Sequence, residues 1–485
     1  MTETQAPPVP APAILRPGMP LGVIVAMSCL AQFMVVLDTA IVTLALPQMR
    51  TGLGLSASGQ QWVVSGYLIT LGGFLLLAAR AGDLFGRKRT LLFGAVVFTV
   101  ASLIGGLSAD PAMLLAARIV QGTGAAALAP ASLSLITSTH REEHRRQRAL
   151  TLWSIMGGAA GVAGTVLGGV LTAELSWRWV LFINVPLGVV LLAAALYALL
   201  PAPAGADRVR LDVAGALSVT LGMGALTYGL SQAASDGWGS TNVVIGLVAA
   251  GVLLVGFLVI EATSSRPLIP LGLFRPRALR VGNVLMLCLG ATMTAAFYFL
   301  SLYFQEAVGY SALRAGLALL PTTAVMIAGG FASRMLIPVV GPRLLLLSGG
   351  LLTAASLAWL TLLPAAHPSY PAHILGPALV AGIGLSLMLL PVTLNGTAGV
   401  PAQDAGAAAG LLNSSRQIGG GIGLAVLANV AATATARDSR AGFAPAIVHG
   451  YHVAFFVDAA VMVVAALVAL ALPVPRVRGL PVSGR

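Results

Sequence analysis

The stretch Leu21–Leu46, LGVIVAMSCLAQFMVVLDTAIVTLAL, holds one charged residue, Asp38, in an otherwise apolar run. A helix rises about 1.5 Å per residue, so this run is long enough to cross the roughly 30 Å hydrocarbon core of a bilayer. It is also too long for the apolar segment of a secretory signal peptide. We therefore predict that the chain enters a membrane here as a helix.

The composition makes lipid the solvent for the whole chain. Of 485 residues, 58% are hydrophobic and 9% are charged, which leaves too little polar surface to cover a water-soluble core. The net charge of +12 is spread singly between apolar runs, so we predict no nucleic-acid partner. Cys29 and Cys288 both lie in apolar runs and imply neither a disulfide nor a metal site.

Thirteen further apolar runs are bounded by charged residues, proline or glycine. A helix satisfies its own backbone hydrogen bonds, as a segment in lipid must. We therefore predict an all-α membrane protein with fourteen transmembrane helices. Their expected positions are 21–46, 61–82, 90–108, 112–138, 148–172, 178–200, 211–234, 241–262, 278–305, 311–335, 343–363, 372–397, 405–433 and 450–473.

The basic residues give these helices a direction. With the N-terminus in the cytoplasm, only Arg50, Arg178, Arg314, Arg437 and Arg440 fall in outer loops, and the cytoplasmic segments hold most of the others. This asymmetry favours an even number of spans in the cell membrane, with both termini cytoplasmic. The ends, 1–20 and 474–485, are expected to be cytoplasmic tails, and the first is rich in proline and alanine and is predicted to be disordered.

A short internal sequence repeat indicates two related halves. The sequence VQGTG at 120–124, followed by Pro130, recurs as VAGIG at 380–384, followed by Pro391. Parallel repeats of six spans are a known transporter architecture. We therefore predict six-helix bundles at 21–200 and 278–473, with an extra helix pair at 211–262 between them.

Several short motifs follow one another along the predicted spans. They are Leu37-Asp38-Thr39, Gln61-Trp62 with Tyr67, Gly82–Arg89, Arg118–Gly122, Trp177-Arg178-Trp179 with Asn184, and Arg416-Gln417 with Gly419. In this order they resemble the motifs of the major facilitator superfamily, and within it the fourteen-helix drug:proton antiporter family, over residues 21 to 473. The resemblance implies the major facilitator fold, with two pseudo-symmetric six-helix bundles. It also implies multidrug or antibiotic efflux by alternating access, driven by protons.

Two motifs depart from the family pattern. The loop motif has Ala79 and Ala81 where the family has glycine and leucine, and Leu84 where it has a basic residue. The fifth-helix antiporter motif, expected at Gly161, Gly164, Gly168 and Gly169, has Thr165 where the family has proline. The missing proline leaves open efflux or uptake of an endogenous metabolite by the same fold, as a facilitator or symporter. A membrane enzyme would need a catalytic cluster, and the sequence shows none.

Asp38 and Arg118 are the clearest charges inside predicted spans. An ionisable group in the hydrocarbon region is costly, so each should have a partner or a task. Asp38 is expected about 12 Å, and Arg118 about 9 Å, from the outer ends of their helices, and thus at similar depth. One interpretation is a static ion pair between two helices. The other, which the family resemblance implies, is a proton-coupling site.

A short segment rich in charge follows the second predicted span. It contains the charged residues Asp83, Arg87, Lys88 and Arg89 together with Gly86. Charges at the cytoplasmic surface can serve topology alone. The resemblance implies a conformational latch that holds the outward-facing state. The two interpretations are compatible.

Other deep charges are Arg416 and Asp458, which are expected to face either the cavity or each other, as a substrate contact or a structural pair. Glu306 and Arg314 bracket an outer loop, and we predict a surface ion pair between them. Polar and aromatic groups suit large, partly apolar ligands. The predicted substrate-cavity residues are Gln32, Gln61, Trp62, Tyr67, Tyr298, Gln305, Asn413, Arg416 and Gln417.

No cofactor or metal is predicted. His140 and His144 have the His-x-x-Glu-His spacing of one zinc peptidase class, but they lie in a short basic loop without a third ligand. The expected partners are a small-molecule substrate, protons and the lipid bilayer, and the protein is expected to function as a monomer.

Overall fold

The computed structural model describes residues 15–16, 19–140, 142–200, 211–264, 267–365, 368–401, 404–438 and 442–473. Within these residues, fourteen helices are long and apolar enough to cross a membrane, which confirms the predicted fold class. The predicted tails, 474–485 and nearly all of 1–20, lie outside the described residues. The helices are α1 (Gly22–Leu53), α2 (Ala57–Phe85), α3 (Arg87–Gly106), α4 (Pro111–Thr139), α5 (Glu143–Glu174), α6 (Trp179–Ala198), α7 (Val213–Asp236), α8 (Thr241–Thr263), α9 (Arg277–Ala307), α10 (Ala312–Val340), α11 (Pro342–Leu360), α12 (Tyr370–Gly396), α13 (Ala405–Arg437) and α14 (Ala444–Ala469).

Several helices extend beyond their predicted bounds. The first span was expected to stop before Pro47, but α1 continues through this proline to Leu53 and ends at Gly54, whose φ is 66°. A proline removes one backbone hydrogen bond and a helix can continue past it. The last span was predicted at 450–473, and α14 instead occupies Ala444–Ala469. Apolar runs do not show where polar residues near the surface continue a helix.

Side-chain caps define the starts of several helices. Ser56 Oγ accepts a hydrogen bond from the Gly59 amide at 3.0 Å and begins α2. Asp110 Oδ1 accepts one from the Met113 amide at 2.9 Å and begins α4. Such caps satisfy amides that have no partner within the helix.

The helices α7 and α8 pack on each other, and α7 also lies against α2 and α13. Trp62 of α2 donates through Nε1 to Ser231 Oγ of α7 at 3.1 Å. Asn429 of α13 donates through Nδ2 to the Leu230 carbonyl of α7 at 2.7 Å. The seventh helix is therefore hydrogen-bonded to one helix from each predicted half.

The two predicted halves contact each other through α2 with α13 and through α5 with α10. Further contacts join them at one end of the bundle, which we name the Arg50 end; the opposite end is the Asp83 end. Arg50 Nη1 of α1 lies 3.7 Å from Glu306 Oε1 of α9. Ser301 Oγ of α9 donates to the Thr43 carbonyl of α1 at 3.1 Å. These contacts join α1 to α9 along the last turns of both helices.

The predicted pair between Glu306 and Arg314 is wrong. Glu306 faces Arg50, whereas the Arg314 guanidinium lies over the ring of Tyr310, 4.0 Å from its centroid. The reason is the π-helical turn Tyr303–Ala307, which widens the end of α9 and changes the direction of Glu306.

Glycines let α5 pack closely against both α1 and α10. A Cβ built on Gly164 would lie 2.6 Å from Ala40 Cβ of α1, and one on Gly168 would lie 2.9 Å from the Ile41 carbonyl. On another face, a Cβ on Gly169 would lie 2.7 Å from Leu313 Cα of α10. Small residues allow such close helix approaches in membranes.

This packing predicts an asymmetry between two glycines of the same motif. Gly164→Ala should lower the thermal unfolding temperature in detergent, because overpacking of this kind costs about 1–3 kcal/mol. Gly161→Ala is the control, since its Cβ would meet only Thr323 Cγ2 at an ordinary 3.7 Å. Equal unfolding temperatures for the two variants would contradict the prediction.

Candidate functional site

Asp38 and Arg118 lie in direct contact inside the first six-helix group. Asp38 is 0% exposed and Arg118 is 1% exposed. Arg118 Nη1 of α4 lies 2.6 Å from Asp38 Oδ2 of α1. The similar depth expected from the sequence is thus realised as a charge-assisted hydrogen bond, which is among the strongest that proteins form.

Further side chains surround this pair. Gln121 Nε2 of α4 and Asn184 Nδ2 of α6 donate to Asp38 Oδ1 at 2.7 Å and 2.9 Å. Arg118 also donates through Nε to the Val63 carbonyl at 3.0 Å, and its guanidinium lies 4.4 Å from the ring centroid of Tyr67. Three donors from α4 and α6 therefore converge on the Asp38 carboxylate.

Three residues of this network were not predicted as site residues. Gln121 and Asn184 belong to the quoted motifs of the fourth and sixth helices. The motifs marked these two residues, but they did not show that both would bind Asp38. Ser102 of α3 accepts a hydrogen bond from Gln121 Nε2 at 2.8 Å, and no motif marks it. Asn184 begins the second segment of α6, just after the interruption at Ile183.

The predicted latch residues are not engaged across the halves. Gly86 forms the turn between α2 and α3 with a φ of 93°, a conformation that favours glycine. Lys88 Nζ donates to the Leu199 carbonyl at the end of α6. Asp83 and Arg89 are exposed, and neither forms an ion pair with any described residue. A cavity of about 500 Å³ lies beside Asp83, bounded by α2, α4 and the start of α13.

The deep charges Arg416 and Asp458 do not face each other. Asp458 is 1% exposed, and its Oδ1 accepts a hydrogen bond from Thr292 Oγ1 of α9 at 2.7 Å. Arg416 is partly exposed, and its Nη2 donates to Asn413 Oδ1 at 3.0 Å. The structural pair between Arg416 and Asp458 is therefore absent from the described structure. A contact of either residue with substrate stays a prediction.

Four predicted cavity residues of the first half have specific neighbours. Gln61 is buried and donates to Ser65 Oγ at 2.7 Å. Trp62 is bonded to α7, as described above, and Tyr67 belongs to the Asp38 network. Gln32 lies against α5, where its Nε2 is 3.2 Å from a Cβ built on Gly157.

Other predicted cavity residues lie in the second half. Gln305 donates to the Leu44 carbonyl at 3.1 Å, within the contact between halves at the Arg50 end. Tyr298 is buried and packs edge-on to Phe299. Gln417 faces α2, where its Cβ is 3.1 Å from a Cβ built on Gly72. Asn413 accompanies Arg416. Substrate contact by any of these residues stays a prediction.

A buried acid paired to a second helix, within a bundle of fourteen spans, is typical of a transporter. The family model described as Major Facilitator Superfamily matches residues 28–424. The chain belongs to the major facilitator superfamily. This membership confirms the resemblance found in the motifs and the prediction of a membrane transporter rather than an enzyme. Among the described residues, no His, Cys, Asp or Glu side chains group as a metal site.

Relatives of this superfamily member include proteins named for antibiotics. It is 42% identical to the cephamycin export protein CmcT of Amycolatopsis lactamdurans over 84% of this chain and 85% of that protein. It is 38% identical to the puromycin resistance protein pur8 of Streptomyces alboniger over 91% of this chain and 89% of that one. Among solved structures, the peptide transporter POT in complex with sulfate matches with a TM-score of 0.68 at 15% identity, covering 92% of this chain and 94% of that one. The last likeness concerns the fold alone.

The buried network predicts a non-additive response to mutation. Arg118→Gln should lower the thermal unfolding temperature strongly, because it leaves Asp38 buried without its cation, at a cost of about 3–5 kcal/mol. Asp38→Asn in the same chain should restore much of the loss, since the remaining groups are then neutral. Thermal unfolding of the two single variants and the double variant in detergent measures the coupling. A double variant as unstable as the sum of the two singles would disprove it.

Proposed function

We propose that this superfamily member is a proton-coupled exporter of small, partly apolar molecules such as antibiotics. It would work by alternating access as a monomer in the cell membrane. The observation that carries the proposal is Asp38, an acid sealed from water and held by donors from two other helices. The names of the relatives, export and resistance proteins for antibiotics, support the substrate class.

The geometry around Asp38 supports a role in proton transfer between states. Protonation of Asp38 would cancel the charge that attracts Arg118 and weaken the bond between α1 and α4. Asn184 Oδ1 is buried without a hydrogen-bond partner, so a rotated amide could accept the new O–H group. Because α1 also packs on α5, which contacts α10 of the other half, a shift of α1 reaches the contact between halves.

The distribution of basic residues supports the proposed orientation, with both termini in the cytoplasm and the Arg50 end outside. In that orientation, the halves are joined outside by Arg50 and Glu306, and the latch residues at Asp83 are disengaged inside. This arrangement corresponds to a state that loads substrate from the cytoplasm. The six-plus-two-plus-six division into 21–200, 211–262 and 278–473 is part of the proposal.

Purified protein in lipid vesicles tests the proposed coupling. Wild type should move substrate, supplied as a cephamycin, faster when a pH gradient is imposed, and Asp38→Asn should abolish the response to the gradient. Asp110→Asn is the matched control, because it neutralises an exposed acid and an asparagine can still cap α4. Movement indifferent to the gradient in wild type would favour a facilitator, and full gradient-driven movement in Asp38→Asn would remove Asp38 from the mechanism.

The ion pair at the Arg50 end predicts a shift between states. Ser301 is 0% exposed beneath this contact, so Ser301→Cys, with Cys29 and Cys288 replaced by alanine, reports opening through its reaction with an impermeant maleimide. Glu306→Gln should speed labelling about two- to fivefold, as expected for a partly exposed pair.

Glu143→Gln is the matched control for this measurement, since Glu143 pairs with Arg146 within α5, away from the contact between halves. An unchanged labelling rate in Glu306→Gln would show that the ion pair does not hold the outer end closed.

A further inference from the structure

Arg416 is a cation within the membrane region whose charge no described residue neutralises. The described ion pairs use Arg50, Arg118, Arg145 and Arg146, and Arg416 has no carboxylate within 4.0 Å. Its one hydrogen bond goes to Asn413, a neutral amide on the same helix. A charge in this position is costly unless something compensates for it.

Two other arginines of this protein have more hydrogen-bond acceptors than Arg416. Arg118 has a carboxylate, an amide oxygen and a backbone carbonyl as acceptors. Arg178, at the start of α6, donates to the carbonyls of Gly106 and Ser108 and stacks on Trp177 at 4.5 Å. A guanidinium carries five N–H donors, and that of Arg416 leaves most of them without a protein acceptor.

The position of Arg416 on α13 directs it between the two halves. Ser414 donates to the Gly72 carbonyl of α2, and a Cβ on Gly419 would meet Leu287 Cα of α9 at 2.6 Å. At about 100° per residue, Arg416 lies on the arc between the face of α13 toward α9 and the face toward α2.

One helical turn farther from the Asp83 end, the same side of α13 contacts both α9 and α2. A Cβ on Gly420 would contact both Thr294 Oγ1 of α9, at 2.6 Å, and Leu68 Cδ1 of α2, at 3.1 Å. Arg416 itself is partly exposed, about 16 Å along α13 from the Asp83 end. The guanidinium therefore lies where the space between the halves ends.

Asp458 does not supply the missing charge. A Cβ on Gly290 of α9 would touch the Arg416 carbonyl, while Thr292 of the same helix bonds to Asp458 on α14. Two residues turn a helix by about 200°, so α9 stands between the two charges. Of the other buried or half-buried acids, Asp38 and Glu306 are paired with Arg118 and Arg50. Buried Glu261, near the end of α8, instead accepts a hydrogen bond from the Ile269 amide at 3.0 Å.

From this geometry we infer that Arg416 binds an anionic group of the transported molecule, in the first instance a carboxylate. The inference rests on the proposed export function and names the charge of its substrate. The planar fork of the guanidinium matches a carboxylate through two parallel N–H···O bonds, and Asn413 holds the fork in place from below. The substrate class is an amphipathic acid, with its apolar part among the helices and its carboxylate on Arg416.

A matched pair of probes tests the charge preference by binding alone. The probes are 1-naphthylacetate and 1-naphthylmethylammonium, which share an aromatic body and differ in the sign of their charge. Their dissociation constants are measured from the concentration dependence of thermal stabilisation of the purified protein in detergent. Wild type should bind the anion more tightly, Arg416→Gln should bind it about tenfold or more weakly, and Arg416→Lys should keep part of the preference.

Arg437→Gln is the control, because it removes an exposed positive charge from the same helix and should leave the preference intact. Tighter binding of the cation, stabilisation by neither probe, or an unchanged preference in Arg416→Gln would each overturn the inference. If Arg416→Gln does not fold, Arg416→Lys decides: a preference for the anion weaker than that of Arg437→Gln supports the site, and a preference equal to that of Arg437→Gln overturns the inference. Binding needs no pH gradient, so a failure of proton coupling would leave this result standing.

Discussion

The ion pair between Asp38 and Arg118 is the interaction on which the first half of the molecule depends. Lipid offers no water to a carboxylate, and α4 and α6 supply Asp38 with three hydrogen-bond donors in place of water. The same bonds fix the relative positions of three helices. A change in any one of these bonds therefore acts on helix packing directly.

Much of the fold could be predicted because the bilayer constrains the length and hydrophobicity of each span, and both can be read directly from the sequence. Apolar length gives the spans, and basic residues give an expected direction. What failed was local. The end of α1 passes through Pro47, and the π-helical turn at the end of α9 turns Glu306 from Arg314 to Arg50, because hydropathy does not record helix geometry.

The site was predictable to the level of its charges. Asp38 and Arg118 stand out because ionisable groups are rare in apolar runs. Neutral partners such as Gln121, Asn184 and Ser102 do not stand out in this way, since an amide or hydroxyl in a membrane helix commonly packs against a neighbour. Helix rotation decided the rest: Trp62 faces α7 and Gln305 faces α1, and neither direction follows from spacing alone.

The unneutralised cation on α13 has an energetic consequence for export. If an anion leaves the cell while a proton enters, both movements carry charge in the same direction across the membrane. The membrane potential, negative inside, then adds to the pH difference as a driving force, at about 2.3 kcal/mol per elementary charge per 100 mV. A single arginine facing the space between the halves would thus make this exporter electrogenic, whereas the exchange of a monovalent cation for one proton would be electrically silent.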